Sequence, residues 1–242
     1  ASIVVNFVES NTINSLQGFD ETNDCNESGD GPNSANCVND VENLIGPLDQ
    51  SNEITSSIPN TIHSNNIEVS QFGSTSNDCN ESGAGAGIND ATCTIQVDNS
   101  VNSVEQDNFV DGPNNAAQTN DFSIHQSTDA ENDCNEFEDG DNSVLCDIDD
   151  SDNDVLSVDQ ANSAFGSAGA TISQNNELDG DDALGIAGII QTMEVDNTCG
   201  QTGSGTNDAS CEFNGDNFID PIDQSNTVLD VDDGATVTQD NR

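Results

Sequence analysis

The chain has 242 residues, of which 47 are acidic; it has no lysine and a single arginine, Arg242, giving a formal net charge of -46. Such a surface cannot neutralise phosphate, so nucleic acid and anionic membrane surfaces are excluded, and cations or further copies of the chain remain as partners. No run is long and apolar enough to insert in a bilayer, and no Walker, dinucleotide, zincin or nucleophile-elbow fingerprint occurs.

In chain order, residues 1–16 read as the end of a partial coil, with Ser2–Val8 as a strand able to contact another subunit. Four repeat units follow, at 17–70, 71–125, 126–190 and 191–242, and the whole of 1–242 reads as one domain. Each unit opens on a glutamine, Gln17, Gln71, Gln126 or Gln191, eight residues before a first cysteine, Cys25, Cys79, Cys134 or Cys199. A second cysteine follows, at Cys37, Cys93, Cys146 or Cys211, and 13 or 14 residues later another glutamine, Gln50, Gln106, Gln160 or Gln224. High acidity with few aromatics usually means disorder, but apolar residues in fixed columns and regularly spaced cysteines argue for a folded stack.

Eight cysteines without a metal-type C-x-x-C imply four sequential disulfides, Cys25–Cys37, Cys79–Cys93, Cys134–Cys146 and Cys199–Cys211, formed in an oxidising compartment. Each closes a short loop, worth about 3 kcal/mol in the chain-entropy treatment. These loops are expected to protrude as pinned hairpins. The chain reads as a secreted product whose signal has been removed.

Around the second glutamine the units share the pattern (D/E)-N-x-Φ-x-x-Φ-(D/E)-Q-x-N, where Φ is Val, Ile or Leu. It supplies Asn43, Asn99, Asn153 and Asn217 and ends on Asn52, Asn108, Asn162 and Asn226. A plainer tail follows: Thr61–Asn65, Ala116–Asn120, Thr171–Asn175 and Thr236–Asp240, with Phe7–Asn11 as its N-terminal equivalent. Glutamines at 17, 50, 71, 106, 126, 160, 191 and 224 thus alternate long and short steps, with an insertion at 177–187.

A coil of about 20 residues explains these steps, and such a short period rich in β-branched residues points to a parallel β-solenoid. The expectation is an all-β fold of about eight coils, with disulfide-pinned loops on alternate coils. The eight glutamines, with Asn43, Asn99, Asn153 and Asn217, would form one amide ladder, each side chain donating to one neighbour and accepting from the other. The acids Glu42/Asp98/Asp152/Asp216 and Asp49/Glu105/Asp159/Asp223 would then stack only on every second coil, about 9.6 Å apart.

Calcium or another divalent cation is the expected ligand, either at ordered sites with oxygen ligands from Asp24, Glu27, Asp78, Glu81, Asp133, Glu136, Asp98, Asp152 and Asp216 or as a diffuse counter-ion atmosphere. No organic cofactor and no catalysis is expected: the only histidines, His63 and His125, fall in different columns. Two N-x-S sequons mark Asn26 and Asn80 for N-glycosylation. Neither end carries a solenoid cap, so head-to-tail stacking into a filament is expected, with a monomeric calcium-binding surface or adhesin module as the alternative.

The Q-x-N elements at 50, 106, 118, 160, 224 and 239 resemble the Gln/Asn ladders of curlin-type, amyloid-like β-solenoid fibres. The chain also resembles acidic, cysteine-punctuated secreted repeat proteins of archaea. These resemblances imply an extracellular, structural homopolymer serving surface adhesion or a biofilm matrix.

Overall fold

The computed structural model describes residues 6–28, 32–55, 60–82, 88–111, 115–137, 141–165, 170–178, 189–201, 206–219, 221–229 and 235–241. Most of Ser2–Val8 and of the expected insertion at 177–187 lies outside them. The fold is an all-β parallel solenoid: each regular element among the described residues is a strand, and every pairing is parallel.

Three sheets build it. Sheet A holds β1 (Asn6–Asp24), β2 (Glu27–Ser28), β5 (Asn60–Ser82), β8 (Asn115–Phe137), β11 (Thr171–Glu177), β12 (Ile189–Gln201) and β15 (Thr236–Asn241). Sheet B stacks β3 (Ser34–Ile45), β6 (Ile88–Val101), β9 (Asp141–Val155) and β13 (Asn207–Ile219). Sheet C stacks β4 (Leu48–Ile54), β7 (Val104–Asp111), β10 (Val158–Phe165) and β14 (Ile222–Leu229). Each turn of the chain runs along sheet A, rounds a corner, and returns through B and then C.

The register corrects the expected coil. Gln17 lies beside Gln71 and Gln71 beside Gln126, an offset of 54 or 55 residues, and the last step is 64 or 65. One whole repeat unit is therefore one coil, and there are about four coils rather than eight. The last step lengthens between Glu177 and Ile189, since both β11 and β12 pair with β8 as two halves of one rung.

Strict alternation makes these strands. In β5, Thr61, His63, Asn65, Ile67, Val69 and Gln71 face inward and are buried, while their neighbours face out. This period-2 pattern fits a pleated strand and cannot place one face of a helix inward. The centre of the coil is apolar, with Ile67, Val69, Phe122 and Ile124 of sheet A packed on Ile45, Val101, Val155, Val104 and Val158 of sheets B and C.

The kink between sheets B and C falls on Gly46–Pro47, Asn102–Ser103 and Leu156–Ser157. Backbone bonding passes straight through it: Leu48 N donates to Ser103 O (2.8 Å), Val104 N to Ser157 O (2.9 Å) and Val158 N to Pro221 O (2.9 Å). Inter-coil bonding thus satisfies buried backbone groups at the bend, where a turn would otherwise leave them bare.

Candidate functional site: a laddered interior and acidic outer faces

The inner amides form separate ladders, which corrects the single run of eight. In one, Gln71 Nε2 donates to Gln17 Oε1 (3.4 Å), Gln126 to Gln71 (2.8 Å) and Gln191 to Gln126 (2.9 Å). In the other, on sheet C, Gln106 donates to Gln50 (3.3 Å), Gln160 to Gln106 (2.9 Å) and Gln224 to Gln160 (2.8 Å). A third, Gln239 to Gln174 to Gln118, was not expected. Its signal is present in the tails, which come into register only with Ala116 beside Ile172 rather than Thr171. A slip of one residue turns an inward column outward.

Asparagine columns run alongside. Asn43 Nδ2 donates to Asn99 Oδ1 (3.0 Å), Asn99 to Asn153 (3.0 Å) and Asn153 to Asn217 (2.8 Å). Asn52, Asn108, Asn162 and Asn226 form a second such column. Asn11, Asn65, Asn120, Asn176 and Asn241 form a third. These Asn columns donate toward the C-terminal coil, whereas the Gln columns donate toward the N-terminal one. The side-chain dipoles of the two sets therefore oppose each other along the axis.

Spare amide hydrogens tie the layers together across the core. Gln71 Nε2 also donates to Asn43 O (2.6 Å), Gln126 to Asn99 O (2.8 Å) and Gln191 to Asn153 O (2.6 Å). Asn52 and Asn65, on facing sheets, bond at 2.9 Å.

The disulfides join Cys25 to Cys37, Cys79 to Cys93, Cys134 to Cys146 and Cys199 to Cys211. Their geometry corrects the protruding hairpins. The cysteines face inward on sheets A and B, Cys79 stacks on Cys134 and Cys199, and Cys37 stacks on Cys93, Cys146 and Cys211. They form a continuous sulfur column with Ala91 and Val144 at one end of the core, closing a corner present in every coil. Four disulfides belong to a chain matured in an oxidising compartment rather than the cytoplasm. Among the described residues no helix is long and apolar enough to cross a membrane.

Of the candidate cation ligands, Asp98, Asp152 and Asp216 stack in one column, whereas those beside the cysteines divide between the two faces of their strands. Asp24, Asp78 and Asp133 stack on the outer face, each bonded by the Asn two residues on: Asn26, Asn80 and Asn135. Glu81 and Glu136 lie inward and buried, on the opposite face of the strand. There Glu81 Oε1 accepts from Ala35 N (2.6 Å), and the equivalent Glu27 Oε2 from Ser34 N (2.8 Å). These glutamates hold the returning chain at the corner. Among the described residues, the trios of ligating atoms within 4.8 Å are cysteine sulfurs, all in disulfides. Asn26 and Asn80 occupy neighbouring rungs, with Asn80 N donating to Asn26 Oδ1 (2.9 Å).

The acidic columns are also closer than expected. Glu42, Asp98, Asp152 and Asp216 lie on consecutive coils, as do Asp49, Glu105, Asp159 and Asp223. Neighbouring rungs are about 4.8 Å apart, well inside a Debye length, so screening is incomplete. The carboxyls respond. Asp154 is pushed up to about 6, first by burial and then by Asp152, Asp98 and Asp216. Asp98 is raised by burial, then by Asp152 and Glu42. Asp107 is raised by burial, then by Glu105, Asp159 and Asp49. Asp78 is raised by burial, then by Asp24 and Asp133, against the bond from Asn80.

No family model, curated protein or solved structure matches this chain.

At the outermost C-terminal rung, columns that are sealed further in lie open. Ile148, Val155 and Val158 are at most 1% exposed, whereas their stacking partners Phe213, Ile219 and Ile222 are 51, 37 and 44% exposed. A cavity of about 700 Å³ opens there between β12 and β13, lined by Met193, Val195, Asn197, Phe213 and Asn217.

Proposed function

We propose that this protein is a structural subunit of an extracellular filament, stacked head-to-tail, with a role in surface adhesion or a biofilm matrix. The observation that carries the reading is the open apolar rung at Phe213, Ile219 and Ile222, whose columns continue the sealed core. What covers those columns inside the chain is another coil of the same pattern, and a second copy supplies one at β1, β3 and β4. Its Gln17 and Gln50 would donate to Gln191 and Gln224, extending the direction of both ladders. Such a contact joins different surfaces and does not close, so it propagates. Parallel strand edges drive it, because an unpaired edge is a template for the next strand.

Divalent cations enter as counter-ions for the stacked carboxylates, which a lengthening filament brings into longer columns. Electron microscopy and light scattering of purified protein test the reading, with calcium and with chelator. Expected are filaments with a rise of about 20 Å per subunit, four coils at strand spacing, favoured by calcium. Uniform particles at every concentration in calcium-containing buffer overturn it. Saturable calcium uptake by such particles would favour the monomeric adhesin module.

A further inference from the structure

Two strands of this chain have the same address in sheet A. The register carries Phe7, Glu9 and Asn11 through β5, β8 and β11 to Val237, Gln239 and Asn241 of β15. When a second copy sets its Gln17 over Gln191 and its Gln50 over Gln224, its Asn6–Asn11 arrives at the level of β15. Only one strand can lie on β11.

The chemistry of the column decides which. Gln174 Nε2 is spent on Gln118 Oε1 (2.9 Å) and Thr227 O (3.1 Å), so its Oε1 faces the contested place. Gln239 meets that oxygen with its Nε2 at 2.9 Å and also donates to Asn226 O (3.0 Å). The Glu9 carboxylate in that place would set acceptor against acceptor.

The other side of the place also favours Gln239. There lies His63 of the incoming copy, 1% exposed, with neither ring nitrogen hydrogen-bonded and the Glu9 carboxylate 3.8 Å from Nε2. Burial lowers its pKa to about 4, so the ring is neutral and has one N–H to donate. A buried imidazole without a partner is costly, and Gln239 Oε1 is the acceptor that the ladder direction turns toward it. The neighbouring asparagine column agrees, since Asn176 donates to Asn241 (3.2 Å) and Asn11 to Asn65 (3.2 Å). Asn241 can replace Asn11 without reversing a bond.

We propose that in the filament β15 of one subunit displaces Asn6–Asn11 of the next and takes its place on β5, with Gln239 Oε1 receiving the His63 N–H. This rests on the head-to-tail reading above. The swap exchanges one short strand for another, while β1 from Thr12 onward, β3 and β4 gain a flush seat on β12, β13 and β14.

Hydrogen exchange on the intact protein, before and after assembly confirmed by electron microscopy, tests it. Amides of residues 7–11 should exchange at least ~10-fold faster in the filament, as a released strand does, while those of 237–241 slow. A mixture of Ile62→Cys and Thr238→Cys chains should become covalently linked between subunits, because those outward positions share a column. Filaments in which 7–11 stay protected and 237–241 open overturn the swap and leave head-to-tail stacking intact. Linkage of Val8→Cys to Ser173→Cys between subunits, or failure of the Ile62–Thr238 link, does the same. Absence of filaments overturns both.

Discussion

Gln126→Leu tests the amide ladder at its most connected point. Gln126 is fully buried. Its Nε2 donates to Gln71 Oε1 (2.8 Å), Asn99 O (2.8 Å) and Asp154 O (3.0 Å), and its Oε1 accepts from Gln191 Nε2 (2.9 Å). Leucine keeps the shape but takes the partner from all four. Gln191 Nε2 keeps Asn153 O and Phe218 O, so the main cost falls on the hydrogen bonds of the two Nε2 hydrogens, which the three acceptors share. At about 1–3 kcal/mol for each of the two, less roughly 1–2 kcal/mol from the added apolar burial, the loss is about 2–3 kcal/mol. That corresponds to a fall in Tm of roughly 5–10 °C for a chain of this size. Thermal and guanidinium unfolding with the disulfides intact measure it, with Gln224→Leu as the control. Gln224 continues the ladder on the outermost rung, where water can replace the lost amide, so about 1 kcal/mol is expected there. A loss below about 1 kcal/mol for Gln126→Leu, or one no larger than the control's, would refute the claim that buried amide stacking stabilises this fold.

Gly73 faces inward where the ring of Phe19 from the preceding coil occupies the space a Cβ would need. Gly73→Val should cost about 1–3 kcal/mol by overpacking, and Phe19→Ala in the same chain should recover part of it in unfolding measurements. Acidification has two opposed effects. Asp154, raised to about 6, holds more protons folded than unfolded, so its destabilisation is full above that value and is relieved as pH falls toward 4. Asp98, Asp107 and Asp78 are raised too and act in the same direction. His63, lowered from 6.5 to about 4, binds fewer protons folded, so its contribution is lost as pH falls through that window. Melting curves of His63→Gln should therefore rise more steeply between pH 6.5 and 4 than those of the parent chain. Replacing Cys79 and Cys93 together by alanine should cost about 3 kcal/mol in chain entropy plus a cavity. The half-exposed pair Cys199 and Cys211 should cost less, as read by guanidinium unfolding.

The alternation of buried and exposed residues, the sequential cysteine pairs and the column partners Gln17/Gln71/Gln126/Gln191 and Gln50/Gln106/Gln160/Gln224 are all written in the sequence. They suffice for a parallel solenoid, because parallel in-register stacking is what makes equivalent residues recur. The sequence alone did not distinguish a neighbour above from a neighbour across. Sheet A and the B–C layer enclose one thin core, so each side needs apolar residues flanked by amides. Gln50 and Gln71 look like successive rungs for that reason, although they lie on facing layers of the coil. Only the tertiary structure separates the two relations, because backbone bonding runs between Gln71 and Gln126, while Gln71 meets the opposite layer through its side chain. The same folding decides that the carboxylates stack on every coil, that Asp24 and Glu27 face opposite ways, and that the cysteine corner continues the coil. Each depends on which strands are hydrogen-bonded to which, a long-range choice that no local pattern encodes.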